Sequence, residues 1–179
     1  HNRLSIIDTS SANKQPMSYN GTTLIFNGEI YNFEEIKKKY KNKFPKFKTR
    51  GDTEVLLKSF HFNEKKTLDY LDGMFAFACF KDKKLFLAVD HFGEKPIYYA
   101  KIKEGIYFSS EAKPLIELLK LPPNKDEKLK MEFILFGHIN NPNTIYENLF
   151  KLEPAHYIEC IKKDKEIRFN KKKYWEAKR

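Results

Sequence analysis

Asn27, Gly28 and Glu29 adjoin one another in the stretch 26–32, FNGEIYN, where an apolar run gives way to a helix-like pattern. Asn-Gly between two extended runs is the usual signature of a tight hairpin turn. The segment after Gly28, however, soon reads as helix and not as a returning strand. At a strand-to-helix junction the pair has a second use. The Asn carboxamide N–H and the Gly backbone N–H can converge on one point and stabilise an oxyanion, and glycine lets a ligand approach the main chain closely. Glu29 and Asp52 are anions that could hold an ammonium group, although Asp52 reads equally as the N-cap of the helix that follows it. Arg3 carries the planar fork that matches a carboxylate, unless it is an ordinary surface arginine. A pocket for a free α-amino acid needs one cation for the carboxylate and anions for the ammonium, and spacing alone does not bring these residues together.

The elements that must position these groups follow from periodicity. Leu4–Ile7 reads as a short strand, 8–18 as a polar loop with Pro16, and Thr22–Phe26 as a strand. Asn32 and Glu35 have capping-box spacing, with Phe33, Ile36 and Tyr40 on one helical face. The basic connector 41–50 leads to Gly51-Asp52-Thr53 and a second helix bearing Val55, Leu56 and Phe60; Lys65–Leu71 adds a short helical piece. Gly73–Phe80 and Leu85–Val89 are strands joined by the turn 81–84, and Ile97–Ala100 with Ile106–Ser109 forms another hairpin. Glu111–Leu119, capped by Ser109 or Ser110, and the amphipathic Lys128–Phe136 are helices, and Ala155–Ile161 with Glu166–Phe169 is a late hairpin. The runs FAFAC and LFLAV are almost continuously apolar, the mark of strands buried on both faces. An antiparallel sheet buried on both faces needs a second sheet on one side and helices on the other. A layered α/β sandwich is the expectation, as one domain over residues 1–179 with a basic, exposed tail at 170–179.

Composition narrows the function classes. In 179 residues, 41% are hydrophobic and 15% aromatic, which suits a packed domain. The net charge of +10 comes from scattered lysines, and arginine, the preferred base reader, is scarce. A solvated lysine-rich surface is favoured over a nucleic-acid footprint, which ranks last among the functional readings. The two cysteines, Cys79 and Cys160, and the five histidines have no metal-ligand spacing, so no metal site is expected. So few thiols fit a reducing compartment, although the two could pair. No apolar run is long enough to cross a bilayer. Cys79, inside an apolar strand, reads as buried and inert, and Cys160 is assigned no role.

Six motifs occur in register: HNRLSIID with QPM (1–17), FNGEIYNF (26–33), TRGDTEVLLKSF (49–60), LDGMFAFACF (71–80), VDHFGEKPIYY (89–99) and FSSEAKPL (108–115). YENLFKLEPAHYIE (146–159) and KYW (173–175) extend the match to nearly the whole chain. Together they resemble the glutaminase domain of glutamine-hydrolysing asparagine synthetases. Related amidotransferases that feed sugars or purine precursors carry other residues after the Asn-Gly, so NGEIYN favours the asparagine synthetase branch. The resemblance implies an N-terminal-nucleophile hydrolase-like, four-layer αββα sandwich of antiparallel sheets. Carried over by position, Arg3 binds the glutamine α-carboxylate, the backbone of Leu4, Ser5, Ile6 and Ile7 lines the pocket, Asn27 and Gly28 form the oxyanion hole, and Glu29 and Asp52 hold the α-ammonium.

The resemblance also implies what lies elsewhere. The nucleophile of such domains is a cysteine at the mature N-terminus, here expected ahead of His1, so that these residues carry much of the pocket without the attacking group and are expected to be inactive alone. No cofactor is expected in these 179 residues; ATP and Mg are expected for a C-terminal synthetase domain, the implied partner besides L-glutamine. A cytoplasmic location is expected, with a homodimer as one assembly and no nucleic-acid or membrane partner. The alternative functions are a glutaminase-like domain without activity, as in β-lactam synthetases, or one serving another acceptor such as a sugar acid.

Overall fold

The computed structural model describes residues 14–44, 46–102, 105–163 and 166–177. Arg3, Leu4, Ser5, Ile6 and Ile7, with the first expected strand, lie outside them. Nine strands are described: β1 Met17–Tyr19, β2 Thr22–Ile30, β3 Gly73–Lys81, β4 Lys84–Val89, β5 Tyr98–Ile102, β6 Gly105–Ser109, β7 Leu149–Lys151, β8 His156–Lys163 and β9 Glu166–Lys173. The helices are α1 Phe33–Lys39, α2 Asp52–Asn63, α3 Ala112–Leu119 and α4 Glu127–Phe136, with a 3-10 helix at Glu64–Asp69. Strands β1-β2-β3-β4-β8-β9 form a six-stranded sheet and β6-β5-β7 a three-stranded one, antiparallel at every described pairing.

The apolar continuity of β3 and β4 is the physical origin of the layering. Successive side chains of a strand point to opposite faces. Phe75, Phe77 and Cys79 of β3, with Phe86 and Ala88 of β4, pack on one face against Ile36 of α1 and Val55, Leu56, Leu57 and Phe60 of α2. Ala76, Ala78, Leu87 and Val89 face the other way, onto Tyr99, Ile97 and Leu152 at the second sheet. The three-stranded sheet in turn covers its outer face with α3, where Ala100 and Leu149 meet Leu115. The order is therefore helices, sheet, sheet, helix, the expected αββα sandwich. The small Ala76 and Ala78 let the two sheets approach, while the phenylalanines fill the wider gap to the helices. Cys79 and Cys160 lie on opposite faces of the six-stranded sheet, so they cannot pair, and both thiols are free.

Several local expectations are corrected. Residues 17–18, read as loop, begin β1, whose Met17 pairs with Leu24. β2 runs on through Asn27-Gly28-Glu29 to Ile30, so this stretch is neither a turn nor a strand-to-helix junction; Asn27 pairs with Ala76 and Gly28 with Phe75. Asn32 forms no capping box; its carboxamide bridges outward, donating to Tyr70 O at 2.8 Å and accepting from Asp72 N at 3.1 Å. The short helical piece expected at Lys65–Leu71 forms as a 3-10 helix over Glu64–Asp69. The basic tail is exposed at Lys172, Lys173, Glu176 and Ala177 but is partly ordered into the fold. Lys171–Lys173 belong to β9, and Tyr174 is half-buried, its hydroxyl donating to Val89 O at 2.7 Å. Burial raises that hydroxyl's pKa above the ordinary tyrosine range.

Candidate functional site

A cavity of about 610 Å³ opens between the end of the six-stranded sheet and the corner where β6 leads into α3. Asn27, Gly28 and Glu29 of β2 and Asp52 of α2 all line it. The four come from two segments 22 or more residues apart, brought together because α2 starts against the end of β2: Ile30 N donates to Asp52 Oδ2 at 3.0 Å. The alternatives open for these residues are thereby narrowed. Asp52 is not the N-cap of α2; Gly51 is, and Asp52 is the first helical residue. Its carboxylate sits among helix N-terminal amides, a site favouring negative charge.

Gly28 is required by the sheet itself. Its φ is +134°, and a Cβ there would collide with the Met74 carbonyl of β3. On β3, paired with Ile30, Gly73 at φ +152° would collide in the same way with the Glu29 carbonyl. Two glycines thus allow β2 and β3 to press together beneath the Asn-Gly pair, leaving the main chain at residue 28 bare toward the cavity. Asn27 is exposed there and Glu29 half-buried.

Asp52 is buried at 5% exposure. Desolvation pushes its pKa above the ordinary carboxylate range, the Ile30, Asp52 and Thr53 amides oppose this, and the nearby negative charge of Glu29 adds to the rise. A buried carboxylate whose ionised form is penalised by desolvation and by a neighbouring negative charge is relieved by a nearby cation. No group of three or more His, Cys, Asp and Glu side chains among the described residues could hold a metal ion.

Sequence reasoning missed the residues that hold the walls. Gln15 Oε1 accepts from Phe26 N at 2.6 Å, fastening the QPM segment to β2 beside Asn27, and Gln15 and Pro16 line the cavity. Asp90, wholly buried, gathers the loop 91–96 around its carboxylate, and that loop delivers Pro96 and Ile97 to the cavity. Ser109, Ser110 and Glu111 of the FSSEAKPL motif form the far rim. Ser109 Oγ accepts from Glu111 N at 3.2 Å, so the expected serine at the start of α3 is present, although the N-cap residue is Glu111.

The connector before Asp52 has its own clamp. Glu54 accepts from Lys48 N and Thr49 N, while Lys58 pairs with Glu54 at 2.8 Å and donates to Lys46 O at 2.9 Å, both charged side chains being buried. Burial acts to raise the Glu54 pKa, but Lys58 and the two amides outweigh it and hold it below the usual range. A lowered carboxylate contributes stability above its unfolded pKa and loses it as pH falls through the folded one. Glu54→Ala is expected to cost about 3 kcal/mol at neutral pH, the low end for breaking a buried pair because Lys58 keeps the Lys46 carbonyl. The deficit should shrink on acidification. Denaturant melts of both proteins at pH 7 and pH 3 check this; equal stability at pH 7 would refute the clamp.

Neither cysteine can attack a substrate. Both are buried in strands; desolvation raises Cys79 far above the ordinary thiol range and Cys160 to about 12. A thiol is nucleophilic as its thiolate, which these positions suppress.

Face-to-face antiparallel sheets between helices are the layering of an N-terminal-nucleophile hydrolase fold. The same fold occurs in the glutamine phosphoribosylpyrophosphate amidotransferase of B. subtilis complexed with ADP and GMP, with TM-score 0.61, 21% identity, and 95% of this chain and 33% of that one covered. An allosteric regulatory enzyme of purine biosynthesis matches with TM-score 0.59 and 21% identity over 90% of this chain and 31% of that one.

The chain belongs to the glutamine amidotransferase domain family, whose model matches residues 1–175. It is similar to asparagine synthetase [glutamine-hydrolyzing] 1 of Bacillus subtilis, 37% identical with 98% of this chain and 28% of that protein covered. Asparagine synthetase [glutamine-hydrolyzing] 3 of the same organism is 34% identical, with 90% and 27% covered. A putative asparagine synthetase of Methanocaldococcus jannaschii is 33% identical, with 98% and 37% covered. The chain thus spans between a quarter and two-fifths of these relatives' length.

Proposed function

We propose that this domain binds L-glutamine and supplies ammonia from its side-chain amide to an ATP-dependent amidation of aspartate carried out elsewhere in the same parent protein. The observation that carries the reading is the convergence of Asn27, Gly28, Glu29 and Asp52 on one cavity. Glu29 and Asp52 hold the α-ammonium, and Arg3 binds the α-carboxylate with the backbone of Leu4–Ile7. The amide carbonyl then points at Asn27 and Gly28. A cysteine thiolate supplied from outside the two buried thiols adds to the amide carbon. The carbonyl oxygen gains negative charge, which the Asn27 carboxamide N–H and the Gly28 N–H stabilise. The C–N bond breaks as the leaving nitrogen takes a proton, releasing ammonia. Water then hydrolyses the thioester to glutamate and free thiol. ATP and Mg belong to the amidating portion, and no step here uses them. The asparagine synthetase relatives support aspartate as acceptor, and two free, buried thiols on opposite sheet faces suit a reducing cytoplasm.

Calorimetric titration with L-glutamine tests the reading. Binding of L-glutamine, with far weaker binding of its α-N-acetyl derivative, is expected, since acetylation removes the cation. Equal affinity for both, or for neither, would overturn it.

Asp52 gives a prediction with opposite signs for stability and binding. Its folded pKa is raised, so the stability tied to its protonated form is complete below the unfolded pKa and lost as pH rises through the folded one. Asp52→Asn keeps an acceptor for Ile30 N–H and removes the charge. The ligand-free variant should match or exceed wild type in Tm at pH 7, and its Tm relative to wild type should be lower at pH 3.5 than at pH 7. Its KM for glutamine should rise by about tenfold or more, the value of one charge-assisted contact. A variant with unchanged KM would remove Asp52 from the ammonium site.

A further inference from the structure

Helix α4 is built differently from the other helices. Not one of its ten residues is buried, although its sequence, EKLKMEFILF, ends in four consecutive large apolar residues. Ile134, Leu135 and Phe136 are 73%, 66% and 64% exposed, with Met131 and Phe133 each at 52%. At 100° per residue, positions 133–136 take in a full turn, so apolar side chains point to every side of the last turn. The expected amphipathic helix is therefore not what forms: no single face is turned to the core.

The helix is nonetheless firmly specified. Asp126 caps it, accepting from Lys128 N at 2.9 Å, and Gly137 ends it in the left-handed conformation with its N–H on Phe133 O at 2.8 Å. Glu132 accepts from Asn140 N at 2.9 Å, tying the following loop back to the helix. At its base Asn124 N donates to Ile145 O at 2.7 Å, and Ile145 adds exposed apolar surface. A helical turn that is apolar on every side belongs in an interior, and an exposed apolar patch of this kind marks a contact surface.

We infer that α4 is a docking peg enclosed by an apolar groove on the amidating portion of the same parent polypeptide. The inference rests on the functional reading above for the existence of that portion. Two observations select this occupant. The chain covers only 28% and 27% of its Bacillus relatives, whose remaining length is polypeptide available to fold around the helix. A second copy meeting α4 across a two-fold axis would cover one face, whereas residues 133–136 need cover on several. Enclosure of the peg holds the ammonia-releasing cavity in a fixed relation to the site that consumes ammonia.

Hydrogen–deuterium exchange on the intact parent protein tests this without any substitution. Amides of 127–136 are expected to exchange as slowly as those of the buried helix α2, at every protein concentration. Exchange as fast as in exposed loops overturns the proposal. Protection lost on dilution also overturns it, because the occupant is then a second copy. A paired variant, Ile134→Asp with Phe136→Asp in the parent, gives a functional readout. Glutamine hydrolysis and amidation from added ammonium should stay near wild type. Glutamine-driven amidation should fall by at least about tenfold, since each buried apolar side chain contributes enough to shift a docking equilibrium by that factor. Unchanged glutamine-driven amidation refutes the peg. If the parent hydrolyses no glutamine yet protects α4, the functional reading fails and the docking surface stands.

Discussion

Asn27→Ala in the intact parent is expected to lower kcat for glutamine hydrolysis by about 10²–10³-fold, the usual effect of deleting one oxyanion donor. The carboxamide is proposed to meet charge that exists only after the thiolate has added, so the loss should fall equally on kcat and kcat/KM, with KM little changed. The geometry makes the substitution a clean probe. Asn27 is exposed to the cavity, and its strand is held by main-chain pairing with Ala76, which alanine leaves intact. Tm should therefore move by no more than a degree or two. Turnover within a few-fold of wild type would remove Asn27 from the transition state. A rise in KM at constant kcat would instead make it a ground-state contact. The same residue carries no ammonium contact, so its kinetic signature should be the reverse of that of Asp52→Asn, where KM moves first.

How much of this was legible in the sequence depends on the range over which each residue acts. The layering was readable because FAFAC and LFLAV report their own two-sided burial through local composition, and the structure places their alternate side chains in separate cores. The convergence of NGE with Asp52 was readable only through the resemblance, since their separation along the chain says nothing about proximity; the Ile30–Asp52 hydrogen bond is what brings them together. Asn-Gly misled because its local preference is for turns, whereas here Gly28 answers a tertiary demand, the approach of the Met74 carbonyl on the next strand. Asn32 misled in a similar way: its spacing to Glu35 suits a cap, but Tyr70 and Asp72, forty residues away, offer its carboxamide a donor and an acceptor at once. The even spread of apolar residues at the end of α4 was visible in the letters, yet only the fold shows that nothing in the described chain covers them.

Asp90→Ala is expected to be the most destabilising single change. The side chain is fully buried, with Oδ2 accepting from Phe75 N and Lys95 N, each at 3.1 Å, and Oδ1 from Phe92 N and Glu94 N, each at 3.0 Å. Its backbone is tied as tightly, with Asp90 N on Phe75 O at 2.8 Å and its carbonyl accepting from Ala155 N at 2.8 Å. One residue therefore joins β3, the loop 91–96 and the entry to β8. A hydrogen bond to a charged acceptor contributes about 1.5–3 kcal/mol, and the four are not additive because the loop amides can rehydrate. Phe75 N, inside the sheet core, cannot. A loss of about 4 kcal/mol is expected, which for a domain of this length lowers Tm by roughly 10 °C. Asp90→Asn keeps one acceptor oxygen and presents an NH₂ where the other accepted, so it should recover less than half of the difference. Pro96 and Ile97 follow the same loop into the cavity, so surviving Asp90→Asn protein should also show a raised KM for glutamine. Thermal melts of the two variants beside wild type decide the matter. An alanine variant within about 1 kcal/mol of wild type would show that the loop closes without its carboxylate.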